Sequence, residues 1–494
     1  MSRILAAVDL GASSGRVIAG VLTDGRFDLR ETVRFPNRPY RLPTPQGDRL
    51  HWGVLGMWGS ILEGLRTAAR DLGPIESIGI DTWAVDYGLL DANGELIGNP
   101  ASYRCARTRP EQFFEAMPVE ELFELVGLQI QPFNTVFQLA VESQERLQIA
   151  QRILLMPDLL GYWLTGRPVA EVTNASTTGL LDPVTRRWQP TVLDVVGCQF
   201  ARPIEHLLPE LVEPGTVVGP VIAPDLDLHN AAGEPTQLVA VGTHDTASAI
   251  VAVPAERDDF AYISCGTWSL VGLELPEPVL TPAAREANLT NELGVDGTVR
   301  FLKNVMGLWV FNECLATWRN AGHELAVADL VAAAAAAEPL RTIVDINDAA
   351  FFPPGDMPGR IAECATRTGQ PAPRNEAETA RCVFDSLALA YRQAVRQVAD
   401  VAGRDVGVVH MLGGGIQNRL LCQLTADATG LPVVAGPVEG TALGNLVVQA
   451  RAVGLLDGGL SELRQVVRAS SHLVNYTPGP TDGCWDAAER RVWG

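Results

Sequence analysis

Apolar residues open this chain in a run that is broken once and then resumed. "ILAAV" runs into Asp9, "GASSG" follows, and "RVIAGVL" restores the apolar character. This pattern predicts a strand, a glycine turn and a second strand, with Asp24-Gly25 closing a further turn. Ile75–Asp91 reads as a buried strand, and "ANGELIG" after it as another hairpin. "MWGSILEGLRTAARDLG" and the stretch from Asn134 to Gly166 space their apolar residues near 3.6 and predict helices. Near Phe260 the opening plan returns, because "FAYISCGTWSLVGLEL" is again strand, Gly-hydroxyl turn and strand. A third glycine loop, "LGGGIQN", ends an apolar run and precedes a helix starting near Gln417 or Asn418. "LPVVAGPVEGTALGNLVVQARAVGLL" predicts a strand, a turn and an Ala/Gly-rich helix. Ala332–Ala337 predicts a helix without chemistry, and "NDAAFFPPGDMPGR" a loop. Strands alternating with helices predict α/β layers, with the main boundary between Asp245 and Phe260.

Composition narrows the partners. The 494 residues suffice for about two to four domains. Hydrophobic residues at 47% and charged ones at 19% exclude a largely disordered chain. A formal net charge of −20 opposes broad binding to nucleic acid or anionic lipid, so any phosphate must be held by local donors. No apolar run is long enough to span a bilayer, and "MSRILAAVDLGASSG" lacks a signal-peptide layout, so the expected location is cytoplasmic. The eight cysteines are scattered without a C-x-x-C pair and predict buried free thiols; Cys364 and Cys382, flanking a Pro-containing loop, are the one candidate pair.

Lys303 is the sole lysine, and this scarcity excludes whole classes. A Walker-A loop needs G-K-[ST], and a protein kinase needs a V-A-I-K lysine; neither exists here. A short-chain dehydrogenase, whose glycine loop "GASSG" would suit, needs Tyr-x-x-x-Lys, but Val299 stands four residues before Lys303.

Five stretches carry candidate chemistry, each with a plainer alternative. The loop Gly11–Arg16 lets backbone N–H groups approach an anion, with Ser13, Ser14 and Arg16 as added donors; it is otherwise an ordinary hairpin turn. In "VGTHDTASAI", Asp245 stands at a strand-to-helix junction, where it either accepts a proton from a substrate hydroxyl or caps the helix. Gly266-Thr267 is a second phosphate turn or a tight hairpin. Gly413–Gly415 leave room for a flat adenine or a phosphate, without the G-x-G-x-x-G pattern of a dinucleotide fold. Asp81, Trp83, Asp86 and Tyr87 suit a polyol, or are core aromatics with capping acids.

Taken in order, "DLGASSGR", "GIDTWAVDYGLLD", "ASYRCART", "GTHDTASAI", "SCGTWSL", "TNELG", "FLKNVMGLW", "LGGGIQN" and "GPVEGTALGN" resemble the FGGY carbohydrate kinases, most of all their L-rhamnulose-phosphorylating branch. The resemblance runs from about Ala6 to Leu455. It implies an α/β fold of two actin-like (ribonuclease H-like) ATPase domains, 1–250 and 251–455, with the active site in the cleft between them and 456–494 as an extension on the second. It implies ATP and Mg²⁺ as cofactors and phosphoryl transfer to the C1 hydroxyl of L-rhamnulose, with L-fuculose, L-xylulose or a similar ketose as the alternative. A non-catalytic sugar- or nucleotide-binding regulator is the rival of a different class. By resemblance, Asp245 is the base and Asp9 holds Mg²⁺. Ala12, Ser13, Ser14, Gly15 and Arg16 line the phosphates, and Gly266 and Thr267 meet them from the other domain. Gly413, Gly414 and Asn418 bound the adenosine pocket, and Asn312 approaches ATP where relatives tend to carry glutamine. Ala84, His244, Asp245, Thr246 and Asn304 touch the sugar, Ala84 standing where glycine is frequent. Cys265 takes the place of a common serine; Lys303, beside Asn304, either helps the cleft or is a chance survivor in a lysine-poor chain. The expected partners are a small ketose and ATP, without nucleic acid or membrane, in a monomer or homodimer.

Overall fold

A computed structural model describes residues 2–45, 47–200, 202–480 and 482–494. The chain divides into two compact units. The first is Met1–Pro254 with Glu274–Phe301 and Gly440–Ser471; the second is Ala255–Leu273, Leu302–Glu439 and His472–Gly494. Two segments late in the chain therefore pack with the first unit.

The first unit is built around Arg3–Leu10, buried from Ile4 onward. A strand covered on both faces needs a nearly continuous apolar run, which "ILAAV" supplies. It pairs antiparallel with Ser14–Thr23 and parallel with Ile75–Thr82. The six-stranded sheet runs in the order Val217–Pro220, Gln237–Val239, Ile75–Thr82, Arg3–Leu10, Ser14–Thr23, Arg26–Pro36. The turn at Asp24-Gly25 has both residues at positive φ. Because Arg3–Leu10 and Ile75–Thr82 are parallel, both end at the same edge, and the register places Asp9 opposite Asp81. Carboxyl ends of parallel strands are where open α/β sheets gather ligands.

Helices cover both faces of this sheet. Val54–Leu72 turns Val54, Met57, Ile61, Leu65 and Ala68 inward, at the spacing of one helical face. Gly440–Ala452 is buried from Ala442 to Ala450, and Leu443, Leu446 and Val447 join Leu5, Ala7 and Ile18 in one core. A polar line accompanies it. Gln449 Nε2 donates to Ala6 O at 3.0 Å, Ser77 Oγ donates to Gln449 Oε1 at 2.8 Å, and Asn445 Nδ2 donates to Asp81 Oδ2 at 2.6 Å.

The second unit repeats this plan. Phe260–Cys265 pairs antiparallel with Trp268–Leu275 and parallel with Val408–Leu412, as the first strand does with its neighbours. The order continues through Val433–Ala435 to Val474–Tyr476 on one side and to Val299–Met306 on the other. Glu376–Ala402, 27 residues long, starts on the Asn375 cap and stops at Gly403 in the left-handed region.

Three expectations change, the first at Ile75–Asp91, which is two strands, Ile75–Thr82 and Tyr87–Leu90, in separate sheets. The stretch from Asn134 to Gly166 holds three helices, Thr135–Ala140, Gln144–Ile149 and Met156–Thr165, and a strand, Arg152–Leu155. Ser143 Oγ accepts from Arg146 N and starts the second helix, and Pro157 starts the third. "RILL" becomes a strand because Tyr87–Leu90 is there to pair with it, a partner that helical periodicity cannot reveal. The loop expected at "NDAAFFPPGDMPGR" gives way to the helix Met357–Arg367, whose cap is Asp356: its Oδ1 accepts from Gly359 N at 3.0 Å. All eight cysteines are free, Cys364 and Cys382 included; six are buried, while Cys198 and Cys484 are exposed. Among the described residues no helix is long and apolar enough to cross a membrane.

Candidate active site

In the first unit the site grows from strand ends. Asp9 is buried at the end of its strand, and Arg16 stands across the register from it. Arg16 Nε and an Nη donate to Asp9 Oδ2 at 3.0 and 2.7 Å. Between them the loop holds itself: Gly11 N donates to Ser14 O at 3.0 Å. Asn37, buried and twenty-odd residues downstream, staples it further. Its backbone N donates to Ser13 O at 3.0 Å and its Nδ2 to Gly11 O at 2.7 Å. No local pattern marks Asn37. Ser13 is exposed, Ala12, Ser14 and Arg16 are half-buried, and Gly15 is pinned by the Phe35 ring, 2.5 Å from where a Cβ would stand.

Asp245 arrives beside this loop from the end of the neighbouring strand. Thr82 N donates to Thr243 O at 2.9 Å, and Thr82 and His244 form a parallel bridge. Asp245 is the first residue of the helix Asp245–Val251; the cap position is His244, and no side chain caps this helix. The capping role considered for Asp245 is therefore not the one it plays. Its Oδ1 accepts from Thr246 Oγ1 at 3.1 Å. Burial pushes the Asp245 carboxyl above the ordinary aspartate range; His244 partly offsets this, and Asp9 adds to it. Asp81 lies deeper and is fully buried. Burial first, then Asp9, raise it well above the ordinary range, against the hydrogen bond from Asn445, and Asp245 adds to the rise. Its Oδ1 has no hydrogen-bond partner.

Asp9 and Asp245 both act on the Asp81 carboxyl, so carboxylate oxygens, hard donors of the kind a divalent cation takes, gather at these strand ends. Among the described residues no group of three or more His, Cys, Asp and Glu forms a metal cage.

Behind Asp245 the backbone is tied down by Glu171, which is fully buried. One Glu171 oxygen accepts from Thr173 N at 2.8 Å; the other accepts from Thr173 Oγ1 at 2.5 Å, Thr243 N at 2.9 Å and Thr243 Oγ1 at 2.7 Å. Nothing in the sequence pattern singles Glu171 out. Asp158 lies behind it; its Oδ1 accepts from Glu171 N at 3.3 Å and its Oδ2 has no partner. Burial and the Glu171 charge hold Asp158 well above the ordinary carboxylate range. The folded state thus binds this proton more tightly than the unfolded chain. Its contribution to stability is full below the ordinary carboxylate range and is lost as pH rises through the folded value. Asp158→Asn keeps the acceptor for Glu171 N. It is expected to flatten, by a few degrees, the fall of the melting temperature as pH rises above the ordinary carboxylate range, read by calorimetry. An unchanged slope would contradict the buried proton.

Ala84 sits in a turn whose next residue, Val85, has φ +69°. A β-branched residue in that region is strained and persists only where its surroundings hold it. Thr135 Oγ1 donates to Val85 O at 2.7 Å, and Trp83 N donates to Leu10 O at 3.1 Å, which brings this turn to the end of the first strand. Asp86 and Tyr87 are not free for a polyol. Asp86 accepts from the Trp52 and Trp83 indoles, Tyr103 N and Gln138 Nε2 at 2.6 to 3.0 Å, and the Tyr87 hydroxyl donates to Glu142 at 2.9 Å. These two residues and Trp83 belong to the core.

The second unit presents the matching strand ends. Gly266 N donates to Trp268 O at 2.9 Å, while Gly266 O and Thr267 O accept from Leu308 N and Trp309 N at 3.0 and 3.1 Å. The glycine loop abuts this hairpin: a Cβ on Gly413 would come within 3.0 Å of Cys265 O, and one on Gly415 within 2.3 Å of Cys265 Sγ. Gly414 faces open space. Asn418 caps the helix Arg419–Thr429, its Oδ1 accepting from Leu421 N at 3.1 Å. Asn312 is exposed on the helix Trp309–Asn320, and Asn304 is half-buried on Val299–Met306. Lys303 Nζ donates to Gln397 Oε1 at 2.7 Å within this unit. Asp9, Ala12, Ser13, Ser14, Gly15, Arg16, Ala84, His244, Asp245 and Thr246 thus come together in the first unit. Gly266, Thr267, Gly413, Gly414 and Asn418 cluster in the second.

Comparisons with known proteins bear on both units. The family model described as "FGGY family of carbohydrate kinases, N-terminal domain" matches residues 4–252, and its C-terminal counterpart matches 261–453. The chain is 39% identical over 487 residues to a rhamnulokinase of Bacteroides thetaiotaomicron, covering 98% of this chain and 97% of that one. It is 41% identical to a rhamnulokinase of Enterococcus faecalis, covering 97% and 95%. Among solved structures it is similar to a gluconate kinase from Lactobacillus acidophilus, with a TM-score of 0.77 at 16% identity and coverage of 99% and 96%. It is also similar to Plasmodium falciparum glycerol kinase with ADP, with a TM-score of 0.76 at 15% identity and coverage of 100% and 99%. These structures speak for the two-domain fold.

Proposed function

This chain belongs to the FGGY family of carbohydrate kinases, and on that premise we propose that it transfers the γ-phosphoryl group of ATP to the C1 hydroxyl of L-rhamnulose. The choice of sugar is supported by the rhamnulokinases it matches at 38–41% identity across nearly its whole length. The observation that carries the chemistry is Asp245: a carboxylate at the start of a helix, half-exposed, with His244 and Asp9 acting on it.

Phosphoryl transfer asks the protein for position, charge neutralisation and a proton acceptor. Asp245 takes the proton of the sugar hydroxyl as that oxygen attacks phosphorus. His244, Thr246, Ala84 and Asn304 orient the sugar. The strained Val85 turn holds Ala84 in place for this. Backbone N–H groups of Ala12 to Gly15 and the side chains of Ser13, Ser14 and Arg16 receive phosphate oxygens. Arg16 is already aimed along the loop by its pairing with Asp9. Gly266 and Thr267 meet phosphate in the second unit, and Gly413, Gly414, Asn312 and Asn418 serve the nucleoside. Bound Mg²⁺, held by Asp9, would neutralise phosphate charge. ATP and a small ketose, with no membrane or nucleic acid, complete the partners in a cytoplasmic enzyme.

The test is an ADP-release assay over a panel of ketoses with MgATP. L-Rhamnulose is expected to exceed L-fuculose and L-xylulose in kcat/KM by about 10-fold or more, the scale at which one methyl or one hydroxyl is read. A different preferred ketose would keep the base and change the substrate. ADP release indifferent to every sugar would overturn the kinase reading.

A further inference from the structure

We infer that Glu292 and Arg300 position the proposed base through His244. The inference rests on the reading of Asp245 given above and adds two residues to it.

The geometry is a chain of four charged or ionisable groups, three of them buried. His244 Nε2 lies 3.4 Å from Asp245 Oδ1. On the other side of the ring, Nδ1 lies 3.1 Å from Glu292 Oε2 and 3.3 and 3.4 Å from the two terminal nitrogens of Arg300. Arg300 Nη1 lies 3.0 Å from the same Glu292 oxygen. Arg300 is fully buried, and its other donors reach Leu293 O at 3.2 Å and Thr173 O at 3.4 Å. Glu292 comes from the strand Thr290–Leu293 and Arg300 from Val299–Met306, joined by a short turn in which Gly294 N donates to Thr298 O at 2.7 Å. Neither strand belongs to the sheet that carries Asp9 and Asp81.

A buried arginine–glutamate pair is weak evidence of added stability, because desolvating both charges offsets their attraction. This one lies against a single functional ring. Which way an imidazole faces is set by what its far nitrogen meets. With Nδ1 accepting from Arg300, which is itself paired with Glu292, Nε2 faces Asp245. Thr246 Oγ1, also 3.4 Å from Nε2, closes the same side. Glu292 is kept below its ordinary range by Arg300 and His244 despite its burial, so it remains a carboxylate beside the ring.

A double-mutant cycle tests this. Glu292→Gln alone leaves Arg300 charged and buried without its carboxylate, which threatens the fold. The pair E292Q/R300Q removes both charges together. It is expected to melt cooperatively, to lower kcat by about 10- to 100-fold, and to leave KM for ATP within about 2-fold of wild type, since loss of position acts on the rate. Placed in an H244N background, the same pair is expected to lower kcat by less than about 2-fold, because the ring through which it acts is gone. E292D, which keeps the charge and shortens its reach, is the second variant, expected to lose kcat without losing its melting temperature. Wild-type kcat in E292Q/R300Q or E292D would overturn the inference, as would an equal loss with and without His244. D245N run alongside separates the two readings. If D245N is inactive and the Glu292 variants are unimpaired, the base stands and only this inference falls. If D245N turns over normally, the base reading falls and takes this inference with it.

Discussion

Asp245→Asn is expected to lower kcat by about 10²- to 10⁴-fold, the share of the rate that a positioned general base supplies, while sugar and ATP still bind. The amide has the shape of the carboxylate and still accepts from Thr246 Oγ1. The helix start is untouched, because its cap position is His244. What is lost is the capacity to take a proton. The wild-type enzyme should carry an acid limb in its pH–rate profile, and its midpoint should lie above the ordinary aspartate range. Burial first, then Asp9, raise the carboxyl, with His244 opposing. As pH falls through that midpoint the base becomes protonated and kcat/KM for the sugar is lost. The variant should show no such limb. Stability moves the other way. A group raised in the folded state contributes stability that is present below its unfolded value and is lost as pH rises through the folded one. At neutral pH, Asp245→Asn should therefore melt slightly above wild type, as removal of a strained functional charge often does. Turnover rates, binding of each substrate by titration calorimetry, and melting curves decide it. Retained turnover would remove Asp245 from the mechanism.

Gly444→Ala is expected to do comparable damage through packing. A Cβ at 444 would stand 1.8 Å from Ser248 O, a backbone atom with no rotamer to change. Gly444 lies on Gly440–Ala452 and Ser248 on Asp245–Val251, so the two helices touch backbone to backbone here. One methyl forces them apart, at a cost of about 3 kcal/mol or more, the upper end for overpacking a filled core. The helix that must move is the one that begins with Asp245. Loss of kcat should therefore accompany the fall in melting temperature, because a misplacement near 1 Å can cost about 10²-fold. Gly59→Ala is the contrast. Gly59 is an exposed position within Val54–Leu72, and its Cβ would meet nothing within 4 Å. There the gain in helix propensity should raise stability by up to about 1 kcal/mol. Wild-type melting of Gly444→Ala would mean that the helices do not approach as described.

The two prominent glycine hairpins were legible in the sequence because each is local. An apolar run, a small-residue turn and a second apolar run need only neighbours in the chain to form. "DLGASSGR" and "ISCGTWSL" both fold as they read. The motif "GPVEGTALGN" was visible too, but not its purpose. Gly444 is there to let Ser248 approach, and Asn445 to hold Asp81, and both partners are remote in sequence. "RILL" is a strand for the same reason: its partner is Tyr87–Leu90, remote in sequence.

The local order of residues set out the chemistry on offer: a glycine loop that suits an anion or is a plain hairpin, an aspartate at a strand-to-helix junction, and the exclusion of every lysine-dependent phosphate loop. It left Asp245 suspended between base and cap, and Asp86 between ligand and core. Tertiary structure removed the cap from the first choice and put Asp86 in the core. It put Asp86 among four N–H donors and Asp245 at a helix start it does not cap, with His244, Glu292 and Arg300 in a row beside it. A carboxylate's type is written in the chain, but its charge state and freedom depend on burial and on donors within a few ångströms. Those neighbours are brought from distant segments only when the sheet closes and the helices pack.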